Sequence, residues 1–416
     1  MVNNKLQNPT RAAAHVVQVG ASGFPYGMAE IEKIRLLGRS LLAAGAAVTV
    51  ISRKGVYDPE HGPHIAPVGN YEGIDYYFAT GSVYRPQGML QRNLLKLKGW
   101  WKEAQLLRQF GREERMSGVI VHSMDFLPLL FYWLLSRMYG FKITYLLVEH
   151  NSSTTSRQTT TMRISDFFLE HVGLKMADGV LPISHYLTDF LRQKAPGKPY
   201  LKIPVLTEFS RFEKPRSPQR EKFFLYCGSA NYLEVILFIL DAFEQVPDTE
   251  EVLLYLVIGG PAEGKAAVAN QVQQLKKSAR VKTFSNLPYD DLVQLYIDAI
   301  GLLIPLRHTV QDVARFPHKI GEYLASGNPL ITTRVGEVPY YFTDQKNALV
   351  TEDYRVEEYV EKMQWIIQHP QLARQVGEAG KTMGKKAFDY SQYGQPLRTF
   401  MENLTPKKKA ARYVWN

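Results

Sequence analysis

Lys319 and Glu322 stand three residues apart in the segment RFPHKIGEYLASGNP (315–329), a spacing that puts a cation and a carboxylate on one face of a helix. Pro317 suits the first helical position, and Gly327 followed by Pro329 stops the helix after about three turns. Unpaired N–H groups and the helix dipole favour an anion at such a helix start. A phosphate could lie against Lys319 and the helix start while Glu322 accepts hydrogen bonds from sugar hydroxyls. That is equipment for holding a nucleotide diphosphate. The same pair would equally suit a surface helix carrying one intrahelical ion pair.

Other loops offer polar groups or backbone at places where a ligand could approach. VQVGASGFPYGMAE puts Gly20, Gly23 and Gly27 between a strand-like run and a helical one. Glycines there let backbone N–H groups approach a phosphate, or simply make a tight turn. The spacing is not GxGxxG, which disfavours a dinucleotide-dependent dehydrogenase. VEHNSST sets Glu149, His150 and Asn151 directly after an apolar run, and VIGGPAEG does the same with Gly259 and Gly260. The chain has no D-x-D, no H-E-x-x-H, no Walker loop and no G-x-S-x-G. A carboxylate-bound metal, a zinc protease, a P-loop NTPase and a serine hydrolase are therefore all disfavoured.

Elements that could position these residues alternate along the chain. The strand-like runs of the first half are AHVVQV (14–19), AAVTVIS (46–52), GVIVH (118–122), KITYLLV (142–148) and GVLPIS (179–184). Helical periods lie between them, including 29–44 stopped by Gly45 and 125–139 stopped by Gly140, and Ser184 can cap a helix beginning at His185. Charged, proline-bearing sequence at 205–221 reads as a linker. A second series follows: KFFLYCG (222–228), VLLYLVIGG (252–260), VKTFSN (281–286), GLLIPL (301–306) and PLITT (329–333). The pattern predicts an α/β fold of two doubly wound, Rossmann-like domains, with ligands in the cleft at the carboxyl ends of the strands.

Composition narrows the class. The 416 residues suffice for two or three domains, and 45% hydrophobic with 22% charged residues is ordinary for a globular enzyme. The lone cysteine, Cys227, excludes a disulfide framework and a cysteine-based metal site, fits a reducing, cytoplasmic compartment, and reads as a buried inert thiol. No signal-peptide core or spanning segment is evident, and FLPLLFYWLL (126–135) reads as a buried helix. The net charge of +10 gathers in Arg85–Arg115 and in the tail KKKAARYVWN. The first of these, with Trp100 and Trp101, suits either a peripheral membrane contact or a solvated helix packed on its own domain. No nucleic-acid-binding motif accompanies the charge.

The series in residues 301–352 resembles the GT-B glycosyltransferases of the family 4, or group 1, type. There an apolar strand ends in LLIPLR, a helix ends in small-Gly-x-Pro, and a strand, a Val-Gly turn and an Asn-Ala-Leu-Val hairpin follow. The likeness runs from about Val16 to Phe400 and implies four parts. These are an acceptor domain at 1–208, a linker at 209–221, a donor domain at 222–390, and at 391–416 a helix crossing back to the first domain plus a basic tail.

The implied activity is metal-independent transfer, with retention, of a hexosyl or N-acetylhexosaminyl group from a nucleotide-diphosphate sugar, a UDP-sugar above all, to a glycan or lipid-linked acceptor. No cofactor is implied. The resemblance assigns Glu322 to the ribose as the second glutamate of E-x7-E, Lys319 to the phosphates, and His150 to the transferred sugar. It places Gly27 near the diphosphate, Ser285, Asn286 and Leu287 around the nucleobase, and Glu337 in a turn where the family has glycine. Ala314 stands where the first glutamate is expected. The loop CGSANYLEV offers Ser229 and Asn231 in place of the usual Arg and Lys, so Arg307, Arg315 and Lys319 are left to meet the phosphate charge, with Gly228 and Gly259 also on the donor side. Ala314 keeps open a non-catalytic sugar-nucleotide or glycan-binding subunit, and the two-domain cleft would also suit a sugar-nucleotide epimerase.

Overall fold

The apolar runs become the strands of two sheets in the computed structural model, which describes residues 14–404 apart from 28, 113–115, 155, 219–220 and 248–250. The basic tail KKKAARYVWN and Arg115 lie outside the described residues. In the first sheet β1 (His15–Val19), β2 (Ala47–Ser52), β3 (Val68–Tyr71), β4 (Ile74–Phe78), β5 (Met116–Val121), β6 (Ile143–Leu147) and β7 (Gly179–Pro182) take the order β3-β4-β2-β1-β5-β6-β7. All neighbours are parallel except β3 and β4. The second sheet contains β8 (Lys222–Ser229), β9 (Val252–Gly259), β10 (Val281–Phe284), β11 (Gly301–Ile304), β12 (Leu330–Thr333) and β13 (Leu349–Thr351) in the all-parallel order β10-β9-β8-β11-β12-β13. This is the doubly wound α/β architecture expected from the alternating pattern.

Three strands differ from the sequence reading. The β3–β4 hairpin turns at Glu72 and Gly73, both at positive φ (52° and 85°), and its edge strand β3 is too exposed and polar to register as an apolar run. The Asn-Ala-Leu-Val segment is not a hairpin arm: β13 runs parallel to β12, pairing Thr332 with Val350.

Direction of chain travel sorts the helices. The helix Ala29–Ala43 connects β1 to β2, whereas the connections β4–β5, β5–β6 and β6–β7 run the opposite way across the sheet. Right-handed crossovers therefore put Met89–Arg112, Phe126–Tyr139 and Thr160–Phe168 side by side on the other face. Trp100 meets Phe131 edge-on at 4.4 Å and Phe126 stacks on Phe168 at 5.5 Å, which ties these three together. The final helix Gly394–Leu404 returns to the helix Ala29–Ala43, where a side chain at Gly394 would collide with the carbonyl oxygen of Ser40 at 1.9 Å.

The two sheets share a core. One apolar cluster runs from Val180 and Leu187 through Val205 and Phe209 to Phe316, Ile320 and Phe388. Thr207 pairs with the returning chain, its N–H donating to the Phe388 carbonyl at 2.8 Å and its carbonyl accepting from Tyr390 at 3.1 Å. Polar contacts also join the halves. The Ser184 hydroxyl accepts the Leu187 N–H at 3.1 Å, capping the helix His185–Lys194 as the sequence suggested, and donates to the Ala314 carbonyl at 2.5 Å.

Candidate active site

The helix His318–Ser326 forms with Pro317 just ahead of it, one place earlier than the sequence reading, and ends on Gly327 in the left-handed conformation (φ 77°). Its buried side packs Ile320, Tyr323 and Leu324 into the shared core. Lys319 and Glu322 consequently emerge at the carboxyl edge of the second sheet. Lys319 Nζ lies 2.9 Å from Glu322 Oε2, and Glu322 Oε1 accepts from the Tyr289 hydroxyl at 3.0 Å. Burial disfavours the Lys319 charge, yet Glu322 and Cys227 outweigh it and hold the ammonium above its ordinary range. Cys227 is thus half-buried beside a cation rather than an isolated core thiol.

Gly321, inside this motif, allows a close contact: a methyl there would lie 2.0 Å from Thr207 Oγ1. The linker therefore presses directly on the helix that carries Lys319 and Glu322.

Arg315 and Arg307 converge on one buried carboxylate. Asp312 accepts from Arg307 Nε at 2.8 Å and lies 2.6 Å from Arg315, while Thr309 caps the short helix Val310–Ala314 by accepting the Asp312 N–H at 3.2 Å. Burial raises the Asp312 carboxyl, but the two guanidiniums more than offset this and hold it below its usual range. Arg307 also donates to Glu234 at 2.8 Å, and Arg315 donates to the Tyr232 hydroxyl at 2.6 Å. Arg315 Nε is buried without a hydrogen-bond partner.

The first domain brings a second charged group to the same cleft. Lys33, on the first helix, is pushed down to about 8 by burial, against the pull of Glu149 and Glu30. Burial raises the Glu149 carboxyl, opposed by Arg315 and Lys33, so this carboxylate senses cations from both domains. Glu149 Oε2 and His318 Nε2 are both buried and unpartnered. Burial and the nearby Lys33 and Lys319 keep His318 neutral, with its pKa well below the imidazole range. Burial and Lys33 likewise push His122 down to about 3. Buried polar groups are normally satisfied. Orphan atoms on Glu149, Arg315 and His318, gathered around Lys33, make this the place where a polar ligand would recover hydrogen bonds.

Other residues singled out from the sequence are distributed around this centre. His150 is turned the other way from Glu149: its Nδ1 lies 3.0 Å from the Tyr186 hydroxyl, its Nε2 3.7 Å from Glu170, and its ring 4.4 Å from Phe190. Neighbouring residues leaving a strand face opposite sides, so the apolar run could not say which of the two would reach the cleft. Glu337, only 1% exposed, is occupied between the domains. It accepts the His185 N–H at 2.5 Å and takes Lys202 at 2.8 Å, so it does not join Lys319 and Glu322.

The glycine loops stay at the sheet edge. Gly259 pairs in register with Ser229, next to Gly228, and Gly260 at φ 110° leaves room for Ser229 Oγ. Ser285 donates to the Ile258 carbonyl at 2.9 Å, Asn286 takes a positive φ of 56°, and Leu287 packs on the core, which places this turn beside Tyr289 and Glu322. Gly27 is exposed just before the Lys33 helix. The sequence reading missed Lys33 and His318. The one signal for Lys33 was its place in the second turn of the helix following the Gly20–Gly27 loop.

Residues 208–383 match the family described as Glycosyl transferases group 1. No curated protein matches the sequence. Several solved structures share the fold over nearly the full length. Sucrose-phosphate synthase from Thermosynechococcus elongatus is 18% identical, with a TM-score of 0.75 over 94% of this chain and 99% of that one. A glycosyltransferase from Rickettsia africae is 14% identical, with a TM-score of 0.69 over 95% and 100%. Anabaena HepE, solved in complex with UDP and glucose, is 15% identical, with a TM-score of 0.67 over 94% and 100%. The chain has the GT-B fold of these structures, and its second half carries the match to the glycosyl transferases group 1 family.

Proposed function

We propose that the chain transfers a hexosyl or N-acetylhexosaminyl group, with retention, from a UDP-sugar to a glycan or lipid-linked acceptor. The observation that carries this reading is the Lys319–Glu322 pair on a helix start within the matched family segment, facing Lys33 and Glu149 across the cleft. Arg315 and Lys319 would take the charge that develops on the departing diphosphate, and Asp312 keeps Arg315 in place. Glu322, steadied by Tyr289, would accept the ribose hydroxyls. Fixed cations and helix N–H groups suffice in this scheme, so no metal is invoked. HepE, whose structure holds UDP and glucose, supports a uridine donor here by likeness of fold.

Ala314, where the family's first glutamate is expected, is fully buried, and its carbonyl accepts the Ser184 hydroxyl. Glu149 supplies a carboxylate close to Arg315 and Asp312, which flank that position, and in this reading stands in for it from the opposite domain. Ala314 also favours the second reading, a donor-binding subunit without turnover. Incubating the protein with a panel of UDP- and GDP-sugars, while following donor hydrolysis and calorimetric binding, separates the two. Turnover of a UDP-sugar supports transfer, binding without turnover supports the subunit, and neither overturns both.

A further inference from the structure

Thirteen of the eighteen large apolar side chains that are exposed among the described residues lie on the three helices covering one face of the first sheet, the third taken with its continuation through Leu169–Gly173 and Leu174–Met176. On Met89–Arg112 they fall at Leu90, Leu94, Leu97 and Trp101, exposed by 76%, 61%, 70% and 58%. Their spacing of four, three and four is one helical stripe, and it points away from the core, because Gly99, Glu103 and Leu107 take the buried side. Leu127, Leu134 and Met138 continue the surface on the middle helix, and Ile164, Phe167 and Phe168 on the third. A soluble domain rarely leaves so much contiguous apolar surface in water.

The charges on these helices are one-sided. Glu103 and Asp166 are both fully buried, where Arg53 and Arg157 bind them. Glu170 is also buried. The exposed charges within these helices are basic: Lys96, Lys98, Arg108 and Arg112, then Arg137, then Arg163 and Lys175, while the exposed Asp125 ahead of the middle helix is held by Arg157 at 2.7 Å. Apolar side chains interleaved with exposed lysines and arginines complement an anionic lipid surface. Among the described residues no helix is long and apolar enough to cross a membrane, so such a contact would be peripheral.

A cavity of about 510 Å³ opens where this surface meets the carboxyl edge of the sheet. Lys54, Arg85, Arg92 and Lys96 line it together with Met89 and Leu95, and no carboxylate does. None of the four cations makes an ion pair among the described residues, and Arg92 Nε is buried without a hydrogen-bond partner. Burial and the neighbouring Lys96, Arg85 and Arg53 lower the pKa of Lys54, the mark of cations crowded without a counter-ion. The start of the helix Met89–Arg112 adds its N–H groups.

We infer that the first domain docks on an anionic lipid surface through the outer side of these helices, with the four-cation cavity taking a lipid phosphate. The cavity and Glu149 both follow the carboxyl ends of strands of the first sheet, so a lipid held there would lie on the cleft side of that sheet. That link to an acceptor rests on the transferase reading; the docking does not.

The test is sedimentation of the full chain with vesicles of phosphatidylcholine alone, or mixed in equal parts with phosphatidylglycerol. Preference for the mixed vesicles is expected. Leu94→Glu with Leu97→Glu, or Arg92→Gln with Lys96→Gln, should each weaken that binding about tenfold or more while leaving far-ultraviolet circular dichroism unchanged. Soluble glycerol phosphate, titrated calorimetrically, is the second arm. Glycerol phosphate bound by a protein that ignores the mixed vesicles would overturn the lipid source, as would equal binding to both vesicle types or binding that survives both double variants. Vesicle binding is read without donor, so docking without turnover removes only the transferase reading.

Discussion

The carboxylate of Glu337 accepts the backbone N–H of His185 at 2.5 Å, so a side chain of the second domain closes the start of a helix in the first. Lys202 at 2.8 Å balances the charge, and the His185 ring stacks on Tyr340 at 3.8 Å. A helix start attracts a carboxylate through its free N–H groups and dipole. With the Ser184–Ala314 contact one residue away, this clamp fixes how the second domain presents Arg315 and Lys319 to the first.

Glu337→Ala should therefore cost about 1–3 kcal/mol, because it orphans a helix N–H and a partly buried lysine. Glu337→Gln keeps an acceptor for the N–H and should recover part of the loss. Urea midpoints of the three proteins check the order wild type, Gln, Ala.

Lys319→Ala should lower kcat/KM for the donor by about a hundredfold or more, the scale expected when a fixed charge opposite a leaving group is removed. Glu322→Gln should instead erase the preference for UDP over its 2′,3′-dideoxy analogue in competition binding. Unchanged discrimination in that variant would place the ribose elsewhere.

Lys33 gives the pH dependence a definite sign. With its pKa pushed down to about 8, it loses its charge as pH rises through that value, and affinity for an anionic donor should fall there. Folding stability should move the other way. Between about 8 and its ordinary 10.5 the unfolded chain binds the proton that the folded one has released, so this group's contribution to stability rises with pH. Lys33→Arg should flatten the affinity profile, which titrations of UDP across that range would show.

Ala314→Glu would supply the carboxylate that the resemblance leads one to expect at that place, yet it should damage the protein. The site is fully buried and its carbonyl is bound by Ser184, so a new carboxylate would be both crowded and desolvated. A loss of about 3 kcal/mol or more is expected. Thermal melts check it, and a stable, more active variant would remove the case for Glu149 as the substitute.

Much of the architecture could be read from the residues. Apolar runs ending in glycine or polar loops marked nearly all the strands of both sheets, and Gly45, Gly140 and Gly327 do end helices at positive φ. The β3–β4 hairpin left no apolar run to read, because its edge strand is exposed on one face and only half-buried on the other. Pairing of Lys319 with Glu322 followed from helical spacing, a local rule that survives any tertiary context. His150, Glu149 and Glu337 depended instead on which way a side chain leaves the end of an element. There no periodicity operates.

The sequence by itself determined two doubly wound sheets, the helix bearing Lys319 and Glu322, and the group of basic residues between Arg85 and Arg112, since each is written in spacings of a few residues. Only the tertiary structure decided that Lys33 and Glu149 oppose that helix, that Glu337 belongs to a clamp, and that the basic helix turns its apolar stripe outward. Those relationships join residues more than a hundred positions apart, or depend on which helix face the core has already claimed. Burial then assigns the charges, lowering Lys33 and raising Glu149 in a cleft that neither half of the chain contains alone.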